Sequence, residues 1–263
     1  KAKFEQVMGA GVRQIAVLAD DAGNQGNDLY IQLMTDLVNW VSSDEMQEKY
    51  PGLKTTIPFC PVQYGGNGES WMSGMPQEVP IVMTGGRIWG EVTDNFTNTF
   101  YNNVGRGPYM WINWPCTDNS KRHLIMGGYT TFLHPGVSPE KIQGIVLNPM
   151  QQSEPSKVAI FGNACYSWNI WTEDKAEQAW EDSFKYADHE TYEETDASNA
   201  LKELSKHMIN QNMDDRVTAL QESEVLKAQL DEFKTKLSSG TLTTEDIEAM
   251  RAEFQLLAAA SET

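Results

Sequence analysis

The sequence predicts an α/β fold in which a parallel sheet is followed by a helical region. Five short apolar runs each stop at polar, aromatic or glycine residues, as buried strands do where they end in loops. A segment with apolar residues at helical spacing lies between the first two runs. After about residue 172 the strand-like runs cease and the chain becomes strongly acidic. These observations favour alternating strands and helices first, and helices alone afterwards.

The first apolar run carries the most informative feature of the chain. It spans Ile15–Ala19 and ends at two adjacent acids, Asp20 and Asp21, before a glycine-rich loop. The other four runs are 55–60, 80–83, 109–112 and 144–147. Because the carboxyl ends of parallel strands meet at one edge of a sheet or barrel, we expect the residues after these runs to face a common site.

Two helical segments accompany the early strands. Residues 1–8 form a charged amphipathic stretch that looks like the end of a helix. Apolar residues at helical spacing in 28–41 predict a helix capped by Asn27 or Asp28. Since a closed barrel of eight βα units needs ~250 residues, five strands leave two alternatives. One is a small open sheet, and the other is the second part of a barrel whose first strands lie upstream. The helical start favours the barrel.

Residues 173–263 predict an acidic, all-α helical bundle that follows a first domain of residues 1–172. This region holds 22 acidic and 9 basic residues. Ser238-Ser239-Gly240 breaks the helical pattern, and Thr243 with Asp246 opens a last helix. Apolar stripes at helical spacing are expected to pack as core rather than to form a partner groove. The stripes are Leu201, Leu204 and Met208; Val217, Leu220, Leu226, Leu230, Phe233 and Leu237; and Ile247, Met250, Phe254 and Leu257.

Composition narrows the classes of partner. The net charge of −17 argues against nucleic acid, because phosphate binding needs clustered Lys and Arg. No apolar stretch approaches the ~20 residues of a transmembrane helix. The three cysteines, Cys60, Cys116 and Cys165, do not form a spaced framework, which is typical of buried thiols or residues at strand ends.

The adjacent acids admit two interpretations. An Asp-Asp pair at a strand end is often a solvated turn or a helix cap. Where a strand ends and the backbone turns, however, neighbouring carboxylates can share one site. Two carboxylates in a cleft repel each other, so that one holds a proton while the other stays ionised, and this suits general acid and base catalysis. Other catalytic motifs are poorly represented: there is no G-x-S-x-G elbow, no P-loop and no histidine pair at metal-ligand spacing.

Aromatic and amide side chains beyond the strand ends favour a sugar ligand. A flat ring suits the apolar face of a sugar, and Asn and Asp suit its hydroxyl groups. A single aromatic ring is more typical of core packing, whereas the set as a whole favours a glycan. The set comprises Tyr64, Trp111, Trp114, Tyr166 and Trp168 with Asn113, Asp118, Asn148 and Asn169.

These residues resemble those of glycoside hydrolase family 84, the β-N-acetylglucosaminidases that include O-GlcNAcases and bacterial enzymes long labelled hyaluronidases. The resemblance runs from about residue 4 to about residue 172. It implies a (β/α)8 TIM barrel, represented here by about its last five strands and followed by the helical bundle. The matching elements, in order, are Gly11-Val12-Arg13, Asp20-Asp21, Cys60-Pro61 with Tyr64, Thr84-Gly85, Trp111, Asn113, Pro115, Thr117-Asp118, Asn148-Pro149-Met150 with Ser156-Lys157, and Tyr166-Ser167-Trp168-Asn169.

The resemblance also implies a mechanism and residue roles. In a retaining, substrate-assisted reaction the sugar's own 2-acetamido oxygen attacks the anomeric carbon. Asp20 would orient the acetamido N–H, and Asp21 would protonate the leaving oxygen and then deprotonate the incoming water. No metal or organic cofactor is implied. The implied substrate-binding residues are Tyr64, Trp111, Asn113, Asp118 and Asn148.

The leading hypothesis is an exo-β-N-acetylglucosaminidase that acts on terminal β-GlcNAc or O-GlcNAc in glycans or glycoproteins. We expect it to be bacterial, and secreted or attached to the cell surface; endo-cleavage of hyaluronan is less well supported. Two alternatives stay open: a non-catalytic glycan-binding or degenerate barrel fragment, and a sugar-phosphate enzyme that uses Asp20 or Asp21 on a metal. The family's glycine-rich first strand and sugar-binding lysine have no counterpart here, so this chain alone is a candidate for an incomplete enzyme, with room for domains upstream and downstream.

Overall fold

The computed structural model describes residues 1–118, 124–187, 192–206, 208 and 221–262. The chain divides into two compact units. The first comprises Lys1–Asn113 and Gly136–Leu147, and the second comprises Trp114–Pro135 and Asn148–Thr263. The boundary expected at residue 172 rests on composition and stays a prediction.

Short parallel strands and helices make up the chain. In chain order the elements are α1 (Ala2–Gly9), β1 (Val17–Leu18), α2 (Asn27–Val41), α3 (Asp44–Lys49), β2 (Phe59–Cys60), β3 (Val82–Met83), α4 (Asp94–Val104), β4 (Tyr109–Ile112), α5 (Tyr129–Phe132), β5 (Gly144–Leu147), α6 (Ser153–Trp168), α7 (Ala176–Ala187), α8 (Asp196–Ser205), α9 (Gln221–Ser239) and α10 (Thr244–Glu262). Short 3₁₀ helices lie at Ser70–Gly74 and Pro139–Lys141. The predicted α/β class is confirmed.

The strands of the first unit pair in parallel and in sequence order. β1 pairs with β2 in the register Val17↔Phe59, and an isolated bridge joins Phe59 to Ile81 at the start of β3. β3 pairs with β4, and β4 pairs with β5 in the register Tyr109↔Gly144. All five strand positions expected from the sequence are therefore confirmed, although the first three strands are only two residues long.

The core of the first unit lies between the sheet and its helices. Phe59 on β2 is fully buried, and its ring contacts that of Tyr30 on α2 with centroids 5.3 Å apart. The buried positions of α2 recur at the helical spacing that predicted it. The predicted cap is wrong, because the helix begins one residue earlier: Gly26, with φ 100°, is the N-cap and no side chain caps the helix.

The core of the second unit is built around aromatic residues. The Trp114 ring stacks on Phe132 with centroids 5.2 Å apart and meets the edge of Tyr129. Met126, Val158 and Phe184 form a further buried cluster in this unit, with Leu201 and Met208 packed against it. The predicted stripe of Leu201 and Leu204 on α8 and Met208 beyond it is thus partly buried.

The core prediction is wrong for the described parts of α9 and α10. The break at Ser238-Ser239-Gly240 is confirmed, and Thr243 caps α10 by accepting from Asp246 N at 3.1 Å. However, the stripe residues of these helices whose side chains the structure describes are largely open to solvent. The exposed members are Leu230, Leu237, Ile247 and Phe254, with Phe233 and Met250 half-buried. Val217 and Leu220 lie outside the described residues, as do the side chains of Leu226 and Leu257.

None of the described helices combines the length and apolar character that crossing a membrane requires. The closed barrel and the complete helical bundle stay predictions.

Candidate active site

The site is built first on the carboxyl end of β1. The ladder between β1 and β2 extends one residue beyond the strands, because Ala19 N donates to Cys60 O at 2.8 Å. The backbone then turns, with Ala22 N donating to Ala19 O at 3.1 Å. Asp20 is half-buried in this turn and Asp21 is exposed. The strand therefore ends as predicted, and the turn places two consecutive carboxylates at the same edge of the sheet.

Cys60 and Tyr64 show which groups surround these carboxylates. Burial, strengthened by the charges of Asp20 and then Asp21, raises the pKa of the Cys60 thiol to about 12. Burial, followed by the charges of Asp21 and then Asp20, also raises the pKa of the Tyr64 phenol. Both acids are thus close enough to act on both groups.

An aromatic wall adjoins the acid pair. The Tyr64 ring packs on the ring of Trp111, which β4 supplies, with centroids 5.3 Å apart and planes inclined at 32°. Both residues are half-buried, so part of each ring stays open to a ligand. The structure therefore brings Tyr64 and Trp111 into contact and places both acids where their charges act on Tyr64. The site roles of these four residues stay predictions.

Asn113 lies beside this wall but makes a contact that the sequence did not reveal. It follows β4, is buried, and its side-chain amide donates to Ile88 O at 2.9 Å. Ile88 belongs to a turn of residues 84–91 that follows β3. The proposed sugar-binding role of Asn113 stays a prediction, and the structure adds a contact with this turn.

Asp118 and Asn148 belong to the second unit. Asp118 is exposed and follows Thr117, whose hydroxyl donates to Gln152 Oε1 at 3.4 Å. Asn148 is exposed directly after β5. Their predicted roles at the sugar hydroxyls stay predictions. Of the other aromatic candidates, Trp114 and Tyr166 are buried in the second unit's core, and Trp168 is exposed.

The site contains two carboxylates, a phenol and an open aromatic face, and these groups can bind a ligand and transfer protons. One carboxylate can accept a hydrogen bond from a ligand N–H while the other transfers a proton. The phenol, whose raised pKa keeps it protonated at neutral pH, can donate a hydrogen bond to a developing negative charge. In the described part of the chain, no group of three or more His, Cys, Asp or Glu side chains is arranged to hold a metal ion.

Comparison with known proteins identifies the chain's family. The β-N-acetylglucosaminidase family model matches residues 1–206. The chain belongs to that family, glycoside hydrolase family 84. The match covers the whole segment in which the sequence resembles the family and extends into the helices beyond it.

Solved structures of the family agree with this placement. The chain is 34% identical to CpGH84D, with a TM-score of 0.79 over 99% of this chain and 42% of that one. CpGH84B is 20% identical, with a TM-score of 0.67 over 97% of this chain and 44% of the other. A mutant of the Thermobaculum terrenum O-GlcNAc hydrolase is 16% identical, with a TM-score of 0.68 over 98% and 56%. The chain thus spans about half the length, or less, of these family 84 structures.

Two features of the site escaped the sequence analysis. Cys60 was identified only as a strand-end thiol, and nothing in its spacing indicated that it lies next to both acids. Thr84 belongs to the family 84 resemblance without an assigned role, although its hydroxyl contacts the main-chain oxygens of Tyr64 and Arg87. The glycines around it were the available signal, since a close turn of backbone needs residues without a Cβ.

Proposed function

We propose that this protein is a retaining exo-β-N-acetylglucosaminidase that releases terminal β-GlcNAc or O-GlcNAc by substrate-assisted catalysis. The observation that carries the proposal is the convergence of Asp20, Asp21 and Tyr64, supported by membership of family 84. A bacterial enzyme that is secreted or held at the cell surface fits the proposal.

The two acids would divide the chemistry between them. The sugar's acetamido oxygen attacks the anomeric carbon as the bond to the leaving oxygen breaks, and Asp21 transfers a proton to that oxygen. The resulting oxazoline is opened by water, which Asp21 deprotonates, so that the anomeric configuration is retained overall. Asp20 accepts a hydrogen bond from the acetamido N–H and stabilises the positive charge of the ring as it forms.

The different environments of the acids support this division. Asp20 is half-buried, where a fixed carboxylate can orient the acetamido group. Asp21 is exposed, where it can meet both the leaving group and the incoming water. A group that exchanges a proton twice in each turnover needs this access.

The remaining residues would bind the sugar. Tyr64 would donate a hydrogen bond to the acetamido or oxazoline oxygen, and Trp111 would wall the acetamido pocket with Asn113 beside it. Asp118 would bind the 4- and 6-hydroxyls and Asn148 the 3- or 4-hydroxyl. A mechanism that uses the N-acetyl group of a sugar held in a pocket suits terminal residues better than endo-cleavage of hyaluronan.

The fold that would present this site is a (β/α)8 barrel to which the chain contributes five consecutive strands. The parallel, sequential order of β1 to β5 supports this proposal, because barrel strands pair in this way. Likeness to the longer family 84 structures supports it further. Upstream strands and further domains would then belong to the working enzyme.

The test uses leaving groups of different quality to separate the roles of the two acids. Asp20→Asn should lower kcat on both 4-nitrophenyl and methyl β-N-acetylglucosaminide, by about 10²-fold or more, because it weakens the nucleophile in both cases. Asp21→Asn should lower kcat on the methyl glycoside far more than on the 4-nitrophenyl glycoside, since 4-nitrophenolate leaves without a proton. Asp36→Asn, an exposed acid on α2, is the matched control.

The assay should use this chain and any longer protein that carries it. Near-normal turnover by Asp21→Asn on the methyl glycoside would contradict the assigned roles. GlcNAc binding without turnover in every form of the protein would favour the glycan-binding alternative. Loss of activity in EDTA would favour the metal-dependent one.

A further inference from the structure

Thr84 is the first residue after β3, and its side chain is 0% exposed. Its backbone N–H donates to Tyr64 O at 3.0 Å. Its hydroxyl lies 2.6 Å from Arg87 O and 3.2 Å from Tyr64 O. Because a hydroxyl has a single proton, the shorter contact to Arg87 O is the stronger hydrogen bond. Thr84 therefore joins the main chain of Tyr64 to the turn of residues 84–91.

That turn is closed by main-chain contacts that only glycine permits. Gly85 has φ +97°, and a Cβ at this position would lie 2.7 Å from Glu91 O. A Cβ on Gly90 would lie 1.8 Å from Thr84 O. The two ends of the turn are therefore in direct backbone contact, and an ion pair between Arg87 and Glu91 spans it. Because its two ends are in contact, the main chain at one end of the turn cannot move without displacing the main chain at the other.

The turn packs directly against the candidate site. A Cβ on Gly65 would lie 3.6 Å from both Arg87 C and Ile88 N, so the Arg87–Ile88 peptide rests on the residue next to Tyr64. On the other side, the Asn113 amide holds Ile88 O at 2.9 Å. The Tyr64 main chain is thus held against the turn at its own carbonyl and at Gly65.

We propose that Thr84 is a positioning residue that sets the place of the Tyr64 phenol relative to Asp20 and Asp21. The inference rests on the proposed function, in which Tyr64 holds the acetamido oxygen as it attacks. Thr84 is fully buried and acts through Tyr64 rather than through the substrate. Its N–H fixes the Tyr64 carbonyl directly, and its hydroxyl fixes the turn on which Gly65 rests.

The first test compares Thr84→Val with Thr84→Ser. Valine keeps the shape but removes the hydroxyl, which leaves Arg87 O without this donor, whereas serine keeps the donor. Small displacements of a catalytic group cost up to about 10²-fold in rate. We expect Thr84→Val to lower kcat by about tenfold or more and to change KM by less than about threefold. Thr84→Ser should stay close to wild type in both.

A buried threonine elsewhere provides the control. Thr97 on α4 is also 0% exposed, and its hydroxyl donates to Thr93 O at 3.1 Å. Thr97→Val should lower thermal stability as Thr84→Val does, but should leave kcat unchanged. Equal kcat losses in the two valine variants would show a general loss of stability and would overturn the proposal.

A second measurement does not depend on activity. Backbone hydrogen exchange in peptides that cover residues 61–66 and 84–91 should become faster in Thr84→Val than in wild type and Thr84→Ser. Thr97→Val should leave these two segments unchanged. Unchanged exchange in 61–66 of Thr84→Val would overturn the proposal even if the protein hydrolyses no glycoside. Faster exchange in a protein that lacks activity would support the coupling and would contradict only the proposed function.

Discussion

At the scale of single residues, the site places Asp20 and Asp21 near a thiol and a phenol that stay neutral at physiological pH. Cys60 and Tyr64 both remain protonated because burial and neighbouring carboxylates oppose their ionisation. A thiolate or phenolate at either position would place a further negative charge beside the two acids. The neutral state of these groups avoids that charge.

Cys60 supplies a test of this environment. An ordinary thiol with a pKa of 9.0 is about one-tenth thiolate at pH 8, whereas a pKa of about 12 leaves about one part in 10⁴. Burial raises the pKa of the half-buried Cys165 as well, but Cys60 is also shielded from the reagent because its side chain is fully buried. Iodoacetamide should therefore label Cys60 more slowly than Cys165 in the folded protein. Labelling should become fast when urea unfolds the chain, and peptide mass spectrometry follows both sites. Equal rates in the folded protein would contradict the buried position beside the acids.

The raised pKa also fixes the direction of a pH effect. The thiol is neutral in the folded state up to about pH 12 but ionises near pH 9 when the chain unfolds. Its contribution to stability is therefore complete below about pH 9 and is lost as the pH rises towards 12. Replacing Cys60 with serine should remove this alkaline component, which denaturant titrations at pH 8 and pH 10.5 would detect.

At the scale of secondary structure, close contacts decide which helical positions tolerate change. In α6, Gly162 faces the Tyr129 ring so closely that a Cβ would lie 2.2 Å from Cε2. Tyr129 is buried, and its hydroxyl donates to Val158 O on the same helix. The glycine is thus required for packing in spite of its poor helix propensity.

Gly162→Ala should therefore destabilise the protein, although alanine favours helix formation. Overpacking of a buried site typically costs about 1–3 kcal/mol, which exceeds the ~1 kcal/mol gained from helix propensity. Ala164→Gly on the exposed face of the same helix measures the propensity effect alone. Urea denaturation followed by circular dichroism gives both values. An unchanged or higher stability for Gly162→Ala would show that Tyr129 does not occupy this place.

At the scale of the whole molecule, the sheet has two edges that no other described strand covers. β1 pairs only with β2, and β5 only with β4, within the described residues. Leu18 on β1 is 69% exposed and Val146 on β5 is 42% exposed. In the proposed barrel, further strands would pair with the main chain of these two edges. The same strands and their helices would cover the exposed apolar side chains.

The barrel proposal makes Leu18 a sensitive position in one context only. In this chain alone, Leu18→Lys should change the free energy of unfolding by no more than about 0.5 kcal/mol, because the side chain is already solvated. In a longer protein that supplies further barrel strands, the same substitution should cost about 2 kcal/mol or more, since it buries an unpaired charge. Thermal denaturation of the wild type and the Leu18→Lys variant, in this chain and in the longer protein, tests this. Equal effects in the two contexts would contradict the barrel.

The sequence by itself determined the positions of the five strands, a helix over 28–41, the break at 238–240 and the acid pair at the end of β1. These features depend on local periodicity and on residues adjacent in the chain, which the sequence displays directly. Parallel strands bring their carboxyl ends to one edge, which is why the sequence predicts that Asp20, Asp21, Tyr64 and Trp111 face a common site.

Only the tertiary structure decided how that edge is held together. The contacts of Thr84 with Tyr64 and of Asn113 with Ile88 join residues 20 and 25 positions apart, and no local pattern encodes them. The exposure of Leu237 on α9, at 60%, likewise depends on which neighbours cover it. An apolar stripe shows that a helix has a face suited to burial, but only packing determines whether that face is buried.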